Sequence, residues 1–310
     1  MLRVACRRHD WSNALFDGRV TEPGLEFVAD GHLGLEALLD EPAGVDFMEC
    51  GLVNYYWARS QRAPVRALPV FLRAAFRHSY IFVNDNVRVD HPRDLEGKRV
   101  GTRYGMTANV WARALLGHQH GVRLETIRWL NQETRTPAPY ALPPGLVLEP
   151  AGRDVNLQEL LVAKQIDALV HPDVLPTRLF AKGNVRRLFS DAPAAERAYY
   201  RATGIVPVMN VIVFRERDLG ERPDAVRAVF DAFCRAKQAG LAAMEDVRDS
   251  GLLWYYEALE EQLALVGPDP APYALERMRP TLEAFIGYGL EQGVFTRALT
   301  LDELFWEPTT

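Results

Sequence analysis

The sequence predicts an α/β protein of two lobes, with a ligand bound in the cleft between them. At 310 residues the chain is longer than one compact core usually is, so two domains are expected. Short apolar runs alternate with segments of helical spacing in the first half, which is typical of a sheet buried on both faces. Two similar extended segments, 80–84 and 211–215, are each followed by a polar turn, as expected where a chain leaves one lobe and later returns.

These two crossovers place the predicted boundaries between the lobes. The first lobe is predicted to be discontinuous, formed by residues 1–99 and 207–310, and helical in its C-terminal part. Residues 100–206 are predicted to form the second lobe. Open α/β folds bind ligands at the carboxyl ends of their strands, so functional side chains are expected there.

The N-terminal part is predicted to alternate between strands and helices. Apolar and β-branched runs predict strands over residues 2–6, 24–29, 45–48, 67–71 and 80–83. Apolar residues at helical spacing predict helices over 33–39 and 52–58.

The same alternation continues into the middle of the chain. A turn and strand at 94–101 lead into a helix over 108–116, which Thr107 or Thr102 would cap and Gly117 would end. A further helix is predicted over 157–163, and strands over 166–170 and 206–214. From residue 223 onward the apolar spacing is mostly helical.

Composition and charge exclude several classes of protein. Asp and Glu number 41 against 36 Lys and Arg, and this excess of acid argues against a nucleic-acid partner. No stretch approaches the roughly 20 apolar residues of a membrane span, and the N-terminus does not resemble a signal peptide. A cytoplasmic protein without a membrane partner is therefore expected, and homo-oligomerisation stays open.

Cysteine usage and motifs give no sign of a cofactor. The three cysteines are too few and too scattered for a disulfide framework. Neither a Cys-x-x-Cys motif nor a phosphate-binding loop is present, and Gly101–Gly105 is too short for a dinucleotide fingerprint. His118 and His120 have a metal-like spacing, but a catalytic zinc site needs a third ligand. We predict neither a cofactor nor a metal.

Arg77, His78 and Ser79 precede a predicted buried strand. Alternation along a strand would direct Arg77 and Ser79 to one face and His78 to the other. A guanidinium can donate two parallel hydrogen bonds to a carboxylate, and a neighbouring hydroxyl can donate another. The alternative is a structural ion pair between the lobes, with His78 as a core histidine.

Arg103, Tyr104 and Thr107 lie between a predicted strand and the start of a helix. The first turn of a helix has free N–H groups and a partial positive charge, which suit a carboxylate. The alternative is that Thr107 only caps the helix and Arg103 is solvated.

Asp10, Glu49, His171 and Asp173 each follow or end a predicted strand. A carboxylate or imidazole in this position could move the protons of a reaction. Solvated loop residues are the alternative for each of them.

Four sequence blocks, in order along nearly the whole chain, resemble the 4,5-dihydroxyphthalate decarboxylase-like proteins. They are ALFDGRV at 14–20, RAAFRHS at 73–79, YGMTANVW at 104–111 and TGIVPVM at 203–209. The chain departs from the family pattern at Asn210, where a histidine is expected, at 8–11, and at 49–52. If these positions contact the ring, the substrate differs from dihydroxyphthalate.

The resemblance implies a fold like that of type 2 periplasmic binding proteins and a cofactor-independent decarboxylation of a hydroxylated aromatic carboxylic acid. His78 would be the general acid–base group, with Glu49 and Asp10 as further catalytic candidates. The predicted substrate contacts are Arg77, Ser79, Arg103, Tyr104, Thr107, His171 and Asn210. A non-catalytic solute-binding protein for a small anionic or aromatic ligand, or another enzyme on this fold, is the alternative.

Overall fold

The computed structural model describes residues 1–31, 33–39, 44–132, 140–176, 180, 184–246, 248 and 250–307. The chain divides into two compact units. Unit 1 comprises Met1–Ala74, Val208–Pro280 and Leu299–Thr310. Unit 2 comprises Ala75–Pro207 and Thr281–Ala298.

Strands and helices alternate as the sequence predicts. The strands are β1 (Leu2–Cys6), β2 (Leu25–Ala29), β3 (Phe47–Gly51), β4 (Val65–Leu68), β5 (Ile81–Asn84), β6 (Arg99–Thr102), β7 (Arg128–Asn131), β8 (Val147–Pro150), β9 (Ala168–Val170), β10 (Val185–Arg187) and β11 (Asn210–Arg215). The helices are α1 (Glu36–Leu39), α2 (Leu52–Ser60), α3 (Thr107–Ala114), α4 (Leu157–Val162), α5 (Ala192–Thr203), α6 (Asp218–Glu221), α7 (Pro223–Glu245), α8 (Tyr255–Leu265), α9 (Leu275–Glu291) and α10 (Leu301–Leu304).

The sheet of unit 1 has the order β2-β1-β3-β11-β4 among the described residues. β1 runs parallel to β2 and β3, whereas β11 lies antiparallel between β3 and β4. Apolar side chains of the sheet pack against α7 to form the core, among them Val4, Phe47, Phe214, Val229 and Phe233.

Helix α7 also contacts the loop that follows β1. A Cβ atom built on Gly240 would lie 2.3 Å from the backbone oxygen of Asp10 and 3.2 Å from the Cα of Trp11. Only glycine allows so close an approach of backbone to helix, so this residue sets where the loop lies.

The sheet of unit 2 has the order β10-β5-β9-β6-β7-β8. The strands β9, β6, β7 and β8 are parallel, and β5 is antiparallel to β9 and β10. Phe82, Leu130, Leu161, Ile166 and Leu169 form an apolar cluster on this sheet.

The α/β class and the division into two units agree with the sequence prediction, but the boundaries differ. Residues 75–99 were predicted in the first lobe, and they lie in unit 2 because β5 pairs with β9 and β10. Residues 281–298 also belong to unit 2, and the change of unit occurs at Pro280, inside α9. The structure therefore has four crossings between the units, two more than predicted.

Two local predictions are wrong. His78–Tyr80 forms a short 3-10 helix, so the strand alternation predicted to put Arg77 and Ser79 on one face does not apply. The helix predicted to end at Gly117 instead continues through a π-helical turn at Leu115–Gln119. None of the described helices combines the length and the apolar character that a membrane-spanning segment needs.

Candidate active site

Arg103, Gln132 and His171 lie side by side at the carboxyl end of the unit 2 sheet. They directly follow the parallel strands β6, β7 and β9. The register pairs the last residue of β6 with the last residue of β7, and β9 flanks β6 on its other side. Arg103 therefore comes between the other two residues, at the edge where open α/β sheets hold ligands.

The guanidinium of Arg103 is held at this edge by a neutral side chain. Its Nε donates a hydrogen bond to Oε1 of Gln132 at 2.7 Å. The Gln132 amide nitrogen donates in turn to the backbone oxygens of Arg153 and Val155. Arg103 is half-buried, and no carboxylate among the described residues forms an ion pair with it. A guanidinium fixed in this way has further donors for an anion.

The imidazole of His171 is half-buried near Arg103. Burial is the main cause that lowers the pKa of His171, and the charges of Arg103 and Arg77 add to it. Its Nδ1 lies 2.8 Å from the backbone oxygen of Asp173, and its Nε2 lies 3.3 Å from the amide nitrogen of Gln158. The ring is therefore neutral at neutral pH and able to accept a proton.

Arg77, predicted to bind a carboxylate, is only 2% exposed. Its Nη2 donates to the backbone oxygens of His171 at 3.0 Å and Pro172 at 2.8 Å. Its guanidinium carbon lies 3.6 Å from the centroid of the Tyr80 ring. These contacts fix the backbone that carries His171, as expected of a positioning residue.

Helix α3 begins next to Arg103, with Thr107 as its first residue. The predicted capping by Thr107 or Thr102 is wrong, because the residue before Thr107 is the N-cap and has no side-chain cap. Asn109 instead ties the helix to the strand ends. Its Nδ2 lies 3.1 Å from Oγ1 of Thr102, 3.0 Å from the backbone oxygen of Arg103 and 3.2 Å from that of Val170.

Tyr104, predicted to contact the ring of a ligand, is fully buried. Its hydroxyl donates to the backbone oxygen of Gln292 at 2.7 Å, and its backbone N–H donates to Oδ1 of Asn131 at 2.8 Å. The guanidinium carbon of Arg113 lies 3.6 Å from the centroid of its ring. These contacts favour a structural role for Tyr104.

His78, predicted as the acid–base group, lies in a buried aromatic cluster. It is 1% exposed, and its ring centroid lies 5.0 Å from that of Phe189 and 5.8 Å from that of Tyr199. Its Nε2 lies 3.1 Å from Oε1 of Gln119. Burial lowers the pKa of His78 to about 4. An enclosed, neutral imidazole suits the core better than it suits proton transfer.

Ser79 lies beside an acidic side chain of α5. Its hydroxyl donates to Oε1 of Glu196 at 3.1 Å. Burial raises the pKa of the Glu196 carboxyl, against the opposing effect of this hydrogen bond.

A second polar cluster lies in unit 1, at the carboxyl end of β1. Glu49 is buried and accepts hydrogen bonds from the backbone N–H of Arg7 at 2.8 Å and from the amide of Asn210 at 2.7 Å. Nε2 of His9 lies 3.3 Å from Oε1 of Glu49. Asp10 is exposed, so the polar neighbour of Glu49 from this loop is His9. A buried carboxylate beside an imidazole is a candidate acid–base pair.

No group of three or more metal-ligating side chains occurs among the described residues. His118 and His120, which have a metal-like spacing, contact different groups. Nε2 of His118 lies 2.7 Å from a carboxylate oxygen of Glu291, whereas the ring of His120 packs against Phe189.

Sequence reasoning placed Arg103 and His171 correctly at strand ends but missed Gln132, Gln158 and His9. Gln132 was missed because the strand before it, β7, was not predicted. The signal was present in the apolar pair Trp129 and Leu130, which is followed by two amide side chains. The same strand-end rule would have found Gln132.

Two known proteins that are similar to this chain in sequence have the same name. No protein-family profile matches the sequence. A 4,5-dihydroxyphthalate decarboxylase of Comamonas testosteroni is 27% identical over 98% of this chain and 96% of its own length. A second protein of this name, from Pseudomonas putida, is 31% identical over 52% of this chain and 65% of its own length.

Solved structures with the same fold include a binding protein and an enzyme. The periplasmic aliphatic sulphonate binding protein SsuA of Escherichia coli has a TM-score of 0.57 and 15% identity, covering 99% of this chain and 92% of its own. The desulfurization enzyme DSZB has a TM-score of 0.54 and 15% identity, covering 98% of this chain and 96% of its own. The resemblance and fold predicted from the sequence are thus confirmed: the chain has a two-lobed fold like that of type 2 periplasmic binding proteins, and it is related over nearly its whole length to proteins named 4,5-dihydroxyphthalate decarboxylase.

Proposed function

We propose that the protein is a decarboxylase of a hydroxylated aromatic carboxylic acid. The observation that carries the proposal is the pair of Arg103 and His171 at the carboxyl end of the unit 2 sheet. A guanidinium that has no carboxylate partner among the residues the structure describes lies there, near a neutral imidazole. The relation to proteins named decarboxylases, over nearly the whole chain, supports this chemistry.

Arg103 is assigned the binding of a substrate carboxylate. Gln132 accepts a hydrogen bond only from the Nε of Arg103. The other N–H groups of the guanidinium can therefore donate to the two oxygens of one carboxylate. This ion pair accelerates the reaction only if the bound carboxylate is one that stays on the ring. A guanidinium on the departing carboxylate would stabilise the ground state as well as the transition state.

His171 is assigned the transfer of a proton from a ring hydroxyl. Loss of that proton pushes an electron pair onto the ring, and an acid then protonates the ring carbon that bears the departing carboxylate. The bond between this carbon and the carboxylate breaks, CO2 leaves, and the electron pair of the broken bond restores the aromatic ring. The proton held by His171 then returns to the ring oxygen. One proton replaces one CO2, so the balance needs no oxidant or reductant.

Unit 1 holds a second, separate candidate acid–base pair, in which Nε2 of His9 lies 3.3 Å from Oε1 of Glu49. The substitution Glu49→Gln tests this pair on its own. Asp10, predicted as a catalytic candidate, is exposed and is the weaker choice.

The experiment follows CO2 release from a panel of hydroxylated benzoates and phthalates. A phthalate should release CO2 with the parent protein, because its second carboxylate gives Arg103 a group that stays on the ring. Arg103→Lys keeps the charge but loses the planar fork, and should lower kcat/KM by about tenfold or more, mainly through KM. Arg128→Lys is the matched control, because Arg128 lies at the opposite end of the same sheet and is 64% exposed.

His171→Gln should lower kcat by about 10²–10⁴-fold while KM changes little. The parent should lose activity as the pH falls through the pKa of His171, which lies below the ordinary histidine value, and the variant should lack this acidic limb. Thermal stabilisation by members of the panel, with CO2 released from none of them, would contradict the proposal and favour a binding protein.

A further inference from the structure

Large apolar side chains are exposed together at the start of α8 and along it, in unit 1. They form an apolar patch of five residues: Leu252 (73% exposed), Leu253 (87%), Trp254 (71%), Tyr256 (54%) and Leu263 (38%). None of the residues of α8 is buried. The other large apolar residues that are exposed in the described part of the chain, such as Val147, are separated along the sequence. Single exposed apolar residues are ordinary, whereas a group of them marks an interaction site.

Hydrogen bonds hold the segment that carries the apolar patch. The backbone N–H of Tyr255 donates to the backbone oxygen of Leu252 at 3.3 Å, and that of Ala258 donates to the oxygen of Trp254 at 3.2 Å. The hydroxyl of Tyr255 donates to the backbone oxygen of Met244, near the end of α7, at 3.0 Å. An ordered surface of this kind loses little conformational entropy when a partner binds.

Helix α8 separates its apolar side chains from its charged ones. Tyr256, the half-buried Leu259 and Leu263 are spaced at i, i+3 and i+7, so they share one face of the helix. The exposed carboxylates of Glu257 and Glu260 lie to one side of this face. An apolar centre beside a polar rim is the usual anatomy of a protein–protein interface.

The apolar patch has the size that a dimer interface needs. Large apolar residues present about 150–250 Å² each when fully exposed, so the exposed fractions correspond to roughly 600 Å² of surface. A stable interface takes about 800 Å² from each partner. Two such patches therefore supply most of one interface, and tryptophan, leucine and tyrosine side chains form its centre.

A membrane surface is a less suitable occupant of the apolar patch. Helices that lie in a membrane interface carry Lys or Arg on their polar face, which the anionic lipids attract. Residues 250–266 contain no Lys or Arg, and their charged residues are Glu257, Glu260 and Glu261.

We propose that the apolar patch is the interface of a symmetric dimer, in which it packs against the same patch of a second copy of this chain. A two-fold contact uses one surface of both copies, so an apolar face is complementary to itself. The carboxylates of α8 lie at the rim, where water and salt screen them.

The test is sedimentation velocity of the full chain at protein concentrations from the low micromolar range upward. The mass should rise to that of two chains and stop there, because a closed two-fold contact leaves no patch free. Continued growth with concentration would mean that the patch binds a different surface of the next copy, and would overturn the two-fold arrangement.

Two substitutions test whether the apolar patch is the interface. Trp254→Glu and Leu253→Glu each place a carboxylate at its centre and should weaken dimerisation by about thirtyfold or more. Both side chains are exposed in the single chain, so the variants should fold, and circular dichroism checks this. Val147→Glu is the matched control, because it changes an exposed apolar residue (62%) of β8 in unit 2 and should leave the dimer intact.

A parent protein that stays monomeric would overturn the proposal, and its binding to phosphatidylcholine vesicles would assign the patch to a membrane instead. Dimers of Trp254→Glu and Leu253→Glu as stable as that of the parent would place the interface elsewhere. These measurements do not involve CO2 release, so failure here and failure of the proposed function are distinguishable.

Discussion

Three histidines illustrate how surroundings decide the role of one residue type. His78 is enclosed by aromatic rings, and burial lowers its pKa to about 4. His171 lies at a strand end between polar groups, and His9 lies beside a buried carboxylate. The sequence shows all three only as histidines near strands, and it cannot show which of them the core encloses.

We expect His78 to make stability depend on pH. Its folded pKa of about 4 lies below the ordinary value of 6.5, so the unfolded chain binds more protons between these values. The stabilisation is complete above pH 6.5 and is lost as the pH falls towards 4, by up to about 3 kcal/mol. The measurement is the free energy of unfolding in urea at pH 7 and pH 4.

His78→Gln should remove this part of the pH dependence, whereas the exposed control His91→Gln should keep it. His120 and His171 also have lowered pKa values, so the comparison is between parent and variant. Turnover per folded molecule should change less than about threefold in His78→Gln. A loss near the 10²–10⁴-fold expected of a general acid would restore His78 to the mechanism.

Among the secondary-structure elements, those whose bounds depend on the local pattern of apolar residues were predicted best. β1 has the predicted bounds, and α2, β5 and β9 lie within two residues of their predicted bounds. Short elements fixed by distant partners were missed, such as β7, which is held by β6 and β8. The candidate site followed the same division. The rule that functional residues follow strands located Arg103 and His171. The side chains that hold these two residues in place could not be predicted, because they come from segments distant in the sequence.

Gly240 provides a test of how α7 positions the loop of unit 1. Gly240→Ala would place its Cβ 2.3 Å from the backbone oxygen of Asp10, and backbone yields less readily than a flexible side chain. We expect a loss of about 1–3 kcal/mol in the free energy of unfolding, the usual cost of overpacking. Turnover should also fall, because the displaced loop carries His9.

The control for this substitution is Gly287→Ala in α9, where nothing lies within 4 Å of the new Cβ. Alanine is the better helix former, so this variant should gain up to about 1 kcal/mol. Urea midpoints of both variants give the comparison, and equal stability of Gly240→Ala and the parent would mean that the loop moves freely.

For the whole molecule, segments distant in sequence complete each unit. Residues 281–298 return to unit 2, where the Gln292 side chain accepts from Arg113 and donates to the backbone oxygen of Val110 at 3.0 Å. The domain boundaries were predicted from crossovers alone. The return at Pro280 leaves no such signal, because it occurs within a continuous helix.

Gln292→Leu should therefore lower the free energy of unfolding by more than the loss of one side-chain amide usually does. It leaves the buried Nε of Arg113 without its partner and removes the side-chain hydrogen bond to the carbonyl of Val110, at a cost of about 2–3 kcal/mol. Gln61→Leu, at an exposed position, should be nearly neutral. Unfolding in urea followed by circular dichroism measures both, and similar midpoints would contradict the role assigned to Gln292.

The position of β11 has a consequence for synthesis on the ribosome. This strand lies between β3 and β4, so neither can complete its pairing until residues 69–209 have been made. Ribosomes add about 5–20 residues per second, and domains fold as their segments emerge. During that interval β4 has no neighbour in its sheet and one side of β3 is open. Exposed strand edges of this kind pair readily with other chains. The nascent chain is therefore most vulnerable to aggregation before Asn210 emerges, and this is the stage at which a chaperone would protect it.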